Sequence, residues 1–339
     1  WIYIVIFVIP IPSLFWLPVG NYIAHDLSHP KGDTFSSMFT HAVQYLYLWV
    51  SGGLGTTNTE ASGFLFNFIT SLLFGIGRNA YGAQLLNLYF GFVAIIASMY
   101  YLARTLKFSC RSSLIAGAFY LLSPFVFTGM PIGILNLRIL PFHIITPIVV
   151  AVFIRAQRST SFGKYFAFFG IVCYQATTSY GSLQYLFLHI IILSIYSFYV
   201  LLVNFKDKKK LKLYIKRIIL LFLLMFLINY FWLSPLIFDL NSSFDARSEP
   251  GFASDHDSSM LAGTSSLIVN AIQGLPYPTQ RFISPWMMHY YKILPLFIFF
   301  LFLASIFLSF STKELRKLSL FPGLWLVVSL LLVNGINKP

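Results

Sequence analysis

Charge is what this sequence has least of. Of its 339 residues 10% are charged, while 58% are hydrophobic and 19% aromatic. A soluble domain of this size carries roughly a quarter charged residues, because its outer shell must face water. With so few, lipid has to solvate much of the outside, and an ordinary water-soluble fold is excluded. Acids are scarcer still: 10 Asp and Glu stand against 23 Lys and Arg, for a formal net charge of +13. No arginine-rich stripe or zinc-ligand cluster accompanies that excess. The basic residues fall in short runs between apolar segments, the pattern by which membrane proteins set their orientation, so nucleic acid is not the partner it implies. Cysteine is nearly absent, and Cys110 and Cys173 offer neither a disulfide framework nor a metal spacing.

Long apolar runs are what the chain does have. A spanning helix needs about 20 mostly apolar residues, because the hydrocarbon core is about 30 Å thick. Runs that serve lie near 2–19, 82–103, 113–129, 139–154, 165–178, 182–204, 218–238, 292–311 and 319–335. The expected fold is all-α: a polytopic membrane protein of about nine transmembrane helices, forming a single transmembrane domain over 1–339. Pro10, Pro12, Pro124 and Pro147 predict kinks and shifted helix ends. The first run lacks a basic flank and a small-residue cleavage site, which argues against a cleaved signal peptide. Residue 1 is Trp and the chain stops at Asn337-Lys338-Pro339, just after an apolar run, which reads as a fragment cut at both ends.

A tenth apolar stretch, 61–77, is short, bracketed by glycines and carries Asn67, Thr70 and Ser71. The positive-inside rule decides its place. If it does not cross, the loops 104–112, 155–164, 205–217 and 312–318 all become cytoplasmic, with 3, 3, 7 and 3 Lys or Arg, 16 of the 23. The same arrangement puts 8 of the 10 acids outside, leaving Asp207 and Glu314 within. The N-terminus is then cytoplasmic, and two long segments face outward, about 20–81 and about 239–290. The first outer segment is expected to hold two helices lying on the membrane, at 36–50 and 61–77, the former rich in Tyr and Trp that prefer the headgroup level. The run Lys206 to Arg217 reads as a cytoplasmic anchor drawn to anionic lipids. His143 and His189 fall inside spans, where a hydrogen-bonded packing role is the simpler reading.

One transmembrane helix, a large outer loop with two surface helices and an early Asp, then many further helices: this layout resembles the GT-C glycosyltransferases. Residues 47–66, YLWVSGGLGTTNTEASGFLF, are similar to the loop of the α-(1→3)-arabinofuranosyltransferases of cell-wall assembly, in which a Trp precedes a Gly-rich stretch, an Asn and a G-[YF]-L-F element. Asn229-Tyr-Phe-Trp-Leu-Ser-Pro-Leu resembles that family's N-x-x-W-L-x-P-L element, and Asn334-Gly-Ile-Asn-Lys-Pro resembles the start of a further outer loop in related enzymes. The sequence departs from the pattern at Asn67, where a Pro usually follows G-[YF]-L-F.

The resemblance implies transfer of a sugar, arabinofuranose by the nearest motif, from a polyprenyl-phosphate donor to a cell-envelope glycan or glycolipid on the outer face of the plasma membrane. That reaction needs a carboxylate to take the acceptor hydroxyl's proton and cations or a metal to stabilise the leaving phosphate. Asp33, in Gly-Asp-Thr just before the first surface helix, stands where the family's loop carries its acid; Asp26 is the second choice, and helix capping is the bland role for Asp33. Trp49, Asn58 and Glu60 lie in the resembling loop and would contact substrate, although a solvated loop acid is the simpler reading of Glu60. Arg138, Arg281 and Lys292 are outer cations suited to phosphate. Snorkelling to headgroups is the simpler reading of each taken singly, and Arg138 is the strongest of them. Asp255-His256-Asp257 has an acid-x-acid spacing that holds Mg²⁺ or Mn²⁺, and His25 and His29 with Asp26 form a second weak metal grouping; a solvated loop explains Asp255 and Asp257 more simply. Two alternatives stand beside the enzyme: a transporter or flippase of lipid-linked sugars, and a non-catalytic scaffold for envelope assembly. A transporter should carry ionisable residues near mid-membrane and broken helices in paired positions.

Overall fold

The computed structural model describes residues 2–11, 49–50, 56–57, 68–69, 72, 76, 80–122, 139–176 and 183–247. Among these, seven helices, some joined by short turns, stand beside one pair of two-residue strands. The helices are α1 (Ile2–Val8), α2 (Ala80–Thr105), α3 (Cys110–Leu122), α4 (Ile139–Arg158), α5 (Phe162–Ala176), α6 (Leu183–Asn204) and α7 (Lys208–Arg247). Two of them, over Leu88–Thr105 and Leu186–Asn204, are long and apolar enough to cross a membrane by length and composition. The expected spans at 292–311 and 319–335 lie outside the described residues.

One expectation needs correction. Trp49 and Val50 do not end a helix: they form β1 (Trp49–Val50), antiparallel to β2 (Thr56–Thr57), with Trp49 opposite Thr57 and Val50 opposite Thr56. Aromatic and β-branched residues favour that extended pairing over a helical last turn. α7 continues past Asp239 to Arg247. Hydropathy marks where an apolar run stops, whereas a helix goes on as long as its backbone hydrogen bonds do. At 40 residues α7 rises about 60 Å, roughly twice the hydrocarbon thickness.

The described residues fall into two units. The first draws on Trp1–Leu122, Gly129–Ile190 and Lys216–Trp232. Its central element is α4, packed against α2 and α5. From Val149 to Ile154 every α4 side chain is buried, so the VVAVFI run is enclosed by protein on all sides. Phe153 meets Phe169 of α5 and Phe222 of α7 at centroid distances of 5.6 and 5.8 Å. Where α2 and α3 cross, a Cβ at Gly117 would stand 2.8 Å from the Ile96 carbonyl oxygen, so only a glycine permits that approach.

Short connections make the packed helices antiparallel, and their caps are local. α2 stops in a Schellman turn: Phe108 N–H donates to the Ala103 carbonyl and Lys107 N–H to the Arg104 carbonyl, with Lys107 at φ 71°. Ser109 caps α3 by accepting from the Ser112 N–H at 3.1 Å. The C-termini of α2 and α4 and the N-termini of α3 and α5 therefore share one end of this unit. Arg104, Lys107, Arg111, Arg155, Arg158 and Lys164 all lie there. Arg155 Nε donates to Thr105 Oγ1 at 3.0 Å, and Arg217 of α7 donates to the Gln157 carbonyl, which ties the three basic segments together. At α1, Tyr3 lies within electrostatic reach of Tyr100, while the Phe7 carbonyl accepts from the Tyr89 hydroxyl at 2.9 Å. α1 thus runs antiparallel to α2, and the chain leaves one and enters the other at the end away from the cations.

Phe68, Ile69, Leu72 and Ile76 are helical. Ile69, Leu72 and Ile76 are exposed. On α7, Ile219, Leu223, Phe226, Leu227 and Tyr230 form an outward apolar stripe.

The second unit draws on Ser123–Thr128, Ile191–Ile215 and Leu233–Pro339. Tyr196 is buried there and its ring lies 6.0 Å from that of Tyr199. Asp207 caps α7, accepting from the Lys210 N–H at 3.1 Å while the Lys210 ammonium sits 3.0 Å from its other oxygen.

Candidate functional site

The end of the first unit opposite the cations carries polar side chains inside apolar helices. Tyr120 stands near the end of α3, His143 and Thr146 in the first two turns of α4, and His189 in the second turn of α6. Both histidines are buried. The Tyr120 hydroxyl donates to the His143 carbonyl at 3.2 Å and lies 3.4 Å from Nδ1 of the same residue. Thr146 Oγ1 donates to the Phe142 carbonyl at 2.7 Å, a bond back along its own helix. Its single proton is thereby used, so His189 Nε2, 2.8 Å away, carries the hydrogen and donates to Thr146. Phe142 separates the two imidazoles, its ring centroid 5.7 Å from His143 and 5.3 Å from His189.

Hydrogen-bonded packing, the role expected of both histidines, is what these contacts describe. Chemically the group is two imidazoles and two hydroxyls, able to hold an orientation or pass a proton along hydrogen bonds. Among the described residues no three His, Cys, Asp or Glu side chains group to hold a metal ion.

No family model, curated protein or solved structure matches this chain. What its residues can do is therefore read from their own chemistry.

Of the residues assigned to catalysis, substrate or metal from sequence, Trp49 is the one the structure describes, in β1 and opposite Thr57. Asp26, Asp33, Asn58, Glu60, Arg138, Asp255, Asp257, Arg281 and Lys292 lie outside the described residues. Arg138 directly precedes α4, one residue before its first turn. Sequence reasoning overlooked Tyr120 and Thr146 as partners of the two histidines. The one usable signal was a hydroxyl three residues after His143 in an otherwise apolar run, but no spacing rule pairs Thr146 with a residue 43 positions away.

Proposed function

We propose that this chain is a membrane glycosyltransferase of GT-C type that moves a sugar, with arabinofuranose the first choice, from a polyprenyl-phosphate donor to a cell-envelope glycan or glycolipid. The observation that carries the reading is the loop 47–66, where a Trp, a Gly-rich stretch, Asn58 and Gly63-Phe64-Leu65-Phe66 follow an early Asp. The β-pairing of Trp49 with Thr57 supports it, since a shaped hairpin suits a substrate loop better than a helix end does.

In this proposal about nine helices cross the plasma membrane, 61–77 lies on the outer surface, and the N-terminus is cytoplasmic. Convergence of the loops 104–112 and 155–164, with Arg217, at one end of the first unit, and α1 antiparallel to α2, supports that orientation. Asp33, with Asp26 as the alternative, takes the proton from the acceptor hydroxyl. The freed oxygen attacks the anomeric carbon, the bond from that carbon to the phosphate oxygen breaks, and polyprenyl phosphate leaves. Arg138, Arg281 and Lys292 balance the negative charge on the departing phosphate. Trp49, Asn58 and Glu60 hold the sugar. Asp255 and Asp257 are the residues that would hold Mg²⁺ or Mn²⁺.

The second reading is a transporter or flippase of lipid-linked sugars, favoured by His143 and His189 buried within apolar helices. One experiment separates the two. Purified protein in lipid vesicles is incubated with a panel of polyprenyl-phosphate sugars and an acceptor glycan. The enzyme consumes one donor and releases polyprenyl phosphate. Movement of a labelled donor across the bilayer with no donor consumed would overturn the transferase in favour of the transporter.

A further inference from the structure

The end of the first unit that gathers the cations holds two arginines in an unusual state. Arg155 and Arg217 are each the innermost cation of their helix: no Lys, Arg, Asp or Glu occurs from Ile139 to Ile154 or from Ile218 to Phe238. Both are half-buried and both are fixed by neutral groups. Arg155 donates through Nε to Thr105 Oγ1, and its guanidinium lies 4.4 Å from the centroid of the Tyr101 ring. Arg217 donates one N–H to the Gln157 carbonyl and lies 5.1 Å from the Phe162 centroid. The remaining N–H groups of each planar fork have no acceptor among the described residues. No Asp or Glu occurs among the described residues of this unit. Gln157 adds a second unmet demand: it is 1% exposed, and neither its amide nitrogen nor its amide oxygen has a hydrogen-bond partner.

A guanidinium half out of water, oriented by a ring and facing no carboxylate among the described residues, has its desolvation cost offset only in part by one hydrogen bond and one ring. A phosphodiester offsets it, because its two free oxygens match the fork. Position selects the source of that phosphodiester. Directly beyond Arg217, toward the apolar side, Ile219 and Leu223 are exposed, where an acyl chain would lie. A free anion has no use for such a surface.

We propose that this end of the first unit binds the headgroups of anionic phospholipids, with Arg155 and Arg217 donating to phosphodiester oxygens and the exposed Arg104, Arg158 and Lys164 supplying the surrounding positive field. The proposal rests on the membrane embedding in the reading above and is independent of the reaction.

The test uses the full chain in nanodiscs of equimolar phosphatidylcholine and phosphatidylglycerol, followed by gentle extraction and native mass spectrometry of retained lipid. Phosphatidylglycerol is retained over phosphatidylcholine by about tenfold, the value of one charge-assisted hydrogen bond. In the Arg155→Gln/Arg217→Gln double variant the preference falls to parity. The Lys pair, which keeps the charge but not the fork, keeps only part of it. Millimolar inorganic phosphate leaves the retained lipid in place. Equal retention of the two lipids by the unaltered protein overturns the proposal, even if the double variant does not fold. Displacement by inorganic phosphate also overturns it, in favour of a free-anion site. A chain that stays in the lipid-free fraction removes both this site and the membrane reading, and is told apart by where it elutes.

Discussion

Arg217, in α7, donates to the carbonyl of Gln157 at the last turn of α4, and the same guanidinium lies over Phe162 at the first residue of α5. One side chain, 60 positions along the chain from the carbonyl it caps, ties three helices at one end. A cation suits that place, because the exposed carbonyls of a helix C-terminus carry its partial negative charge.

The α2–α3 crossing depends on Gly117. In Gly117→Ala the new Cβ would meet backbone, the Ile96 carbonyl at 2.8 Å, which cannot rotate away. The expected cost is about 1–3 kcal/mol, read as a lower unfolding midpoint in detergent. Gly163, near the start of α5, has open space around its Cβ position. Gly163→Ala should raise the midpoint through a helix-propensity gain of up to about 1 kcal/mol. A stabilised Gly117→Ala protein would mean the helices do not cross this closely.

Lys107 occupies the left-handed position of the α2 Schellman turn at φ 71°, where glycine carries no steric penalty. Lys107→Gly should stabilise by about 0.5–1 kcal/mol, while Lys107→Val should destabilise. Thermal unfolding of the three proteins ranks them; if valine proves neutral, the turn is not left-handed.

Asp207 supplies a pH dependence of known sign. The Lys210 backbone N–H, and then the Lys210 ammonium, hold its carboxyl below the ordinary carboxylate value. A group whose folded value is depressed contributes stability above its unfolded value and loses it as pH falls through the folded one. The cap of α7 should therefore weaken only below about pH 4. Comparing melting at pH 6 and pH 3 tests this: Asp207→Asn, which keeps a capping oxygen but cannot ionise, should show a smaller drop. An identical drop in both proteins would remove Asp207 from the acid response.

Thr146 should matter through His189. Thr146→Val leaves the buried Nε2–H without its acceptor, at a cost of about 1–3 kcal/mol, whereas Thr146→Ser retains the bond and nearly all the stability. Equal melting of the two variants would show that the hydroxyl is not used.

For the proposed reaction, Asp33→Asn should lower transfer at least about a hundredfold, the usual value of a general base, while expression and melting stay unchanged. Asp26→Asn should act more weakly. Near-normal turnover by Asp33→Asn would take Asp33 out of the site.

Much of the helical layout is legible in the apolar runs themselves. Those near 82–103, 139–154 and 182–204 lie within or match α2, α4 and α6, because a continuous apolar run has few conformations that satisfy its backbone. Helix ends are less legible. At Arg247 and at Trp49 they depend on hydrogen bonds that hydropathy does not encode. The partnership of Tyr120, His143, Thr146 and His189 is not legible at all, since each looks like an isolated polar residue in its own run.

By itself the sequence determined where the apolar helices α2, α4 and α6 fall and how basic and apolar segments alternate, because composition and periodicity are local quantities summed along a chain. Tertiary structure alone decided that α4 is enclosed by protein, that Arg155 and Arg217 are held by neutral partners, and that the two histidines share one end of a unit with Tyr120. Those facts depend on which helix faces touch, and side chains 43 or 60 positions apart meet only when the helices between them pack.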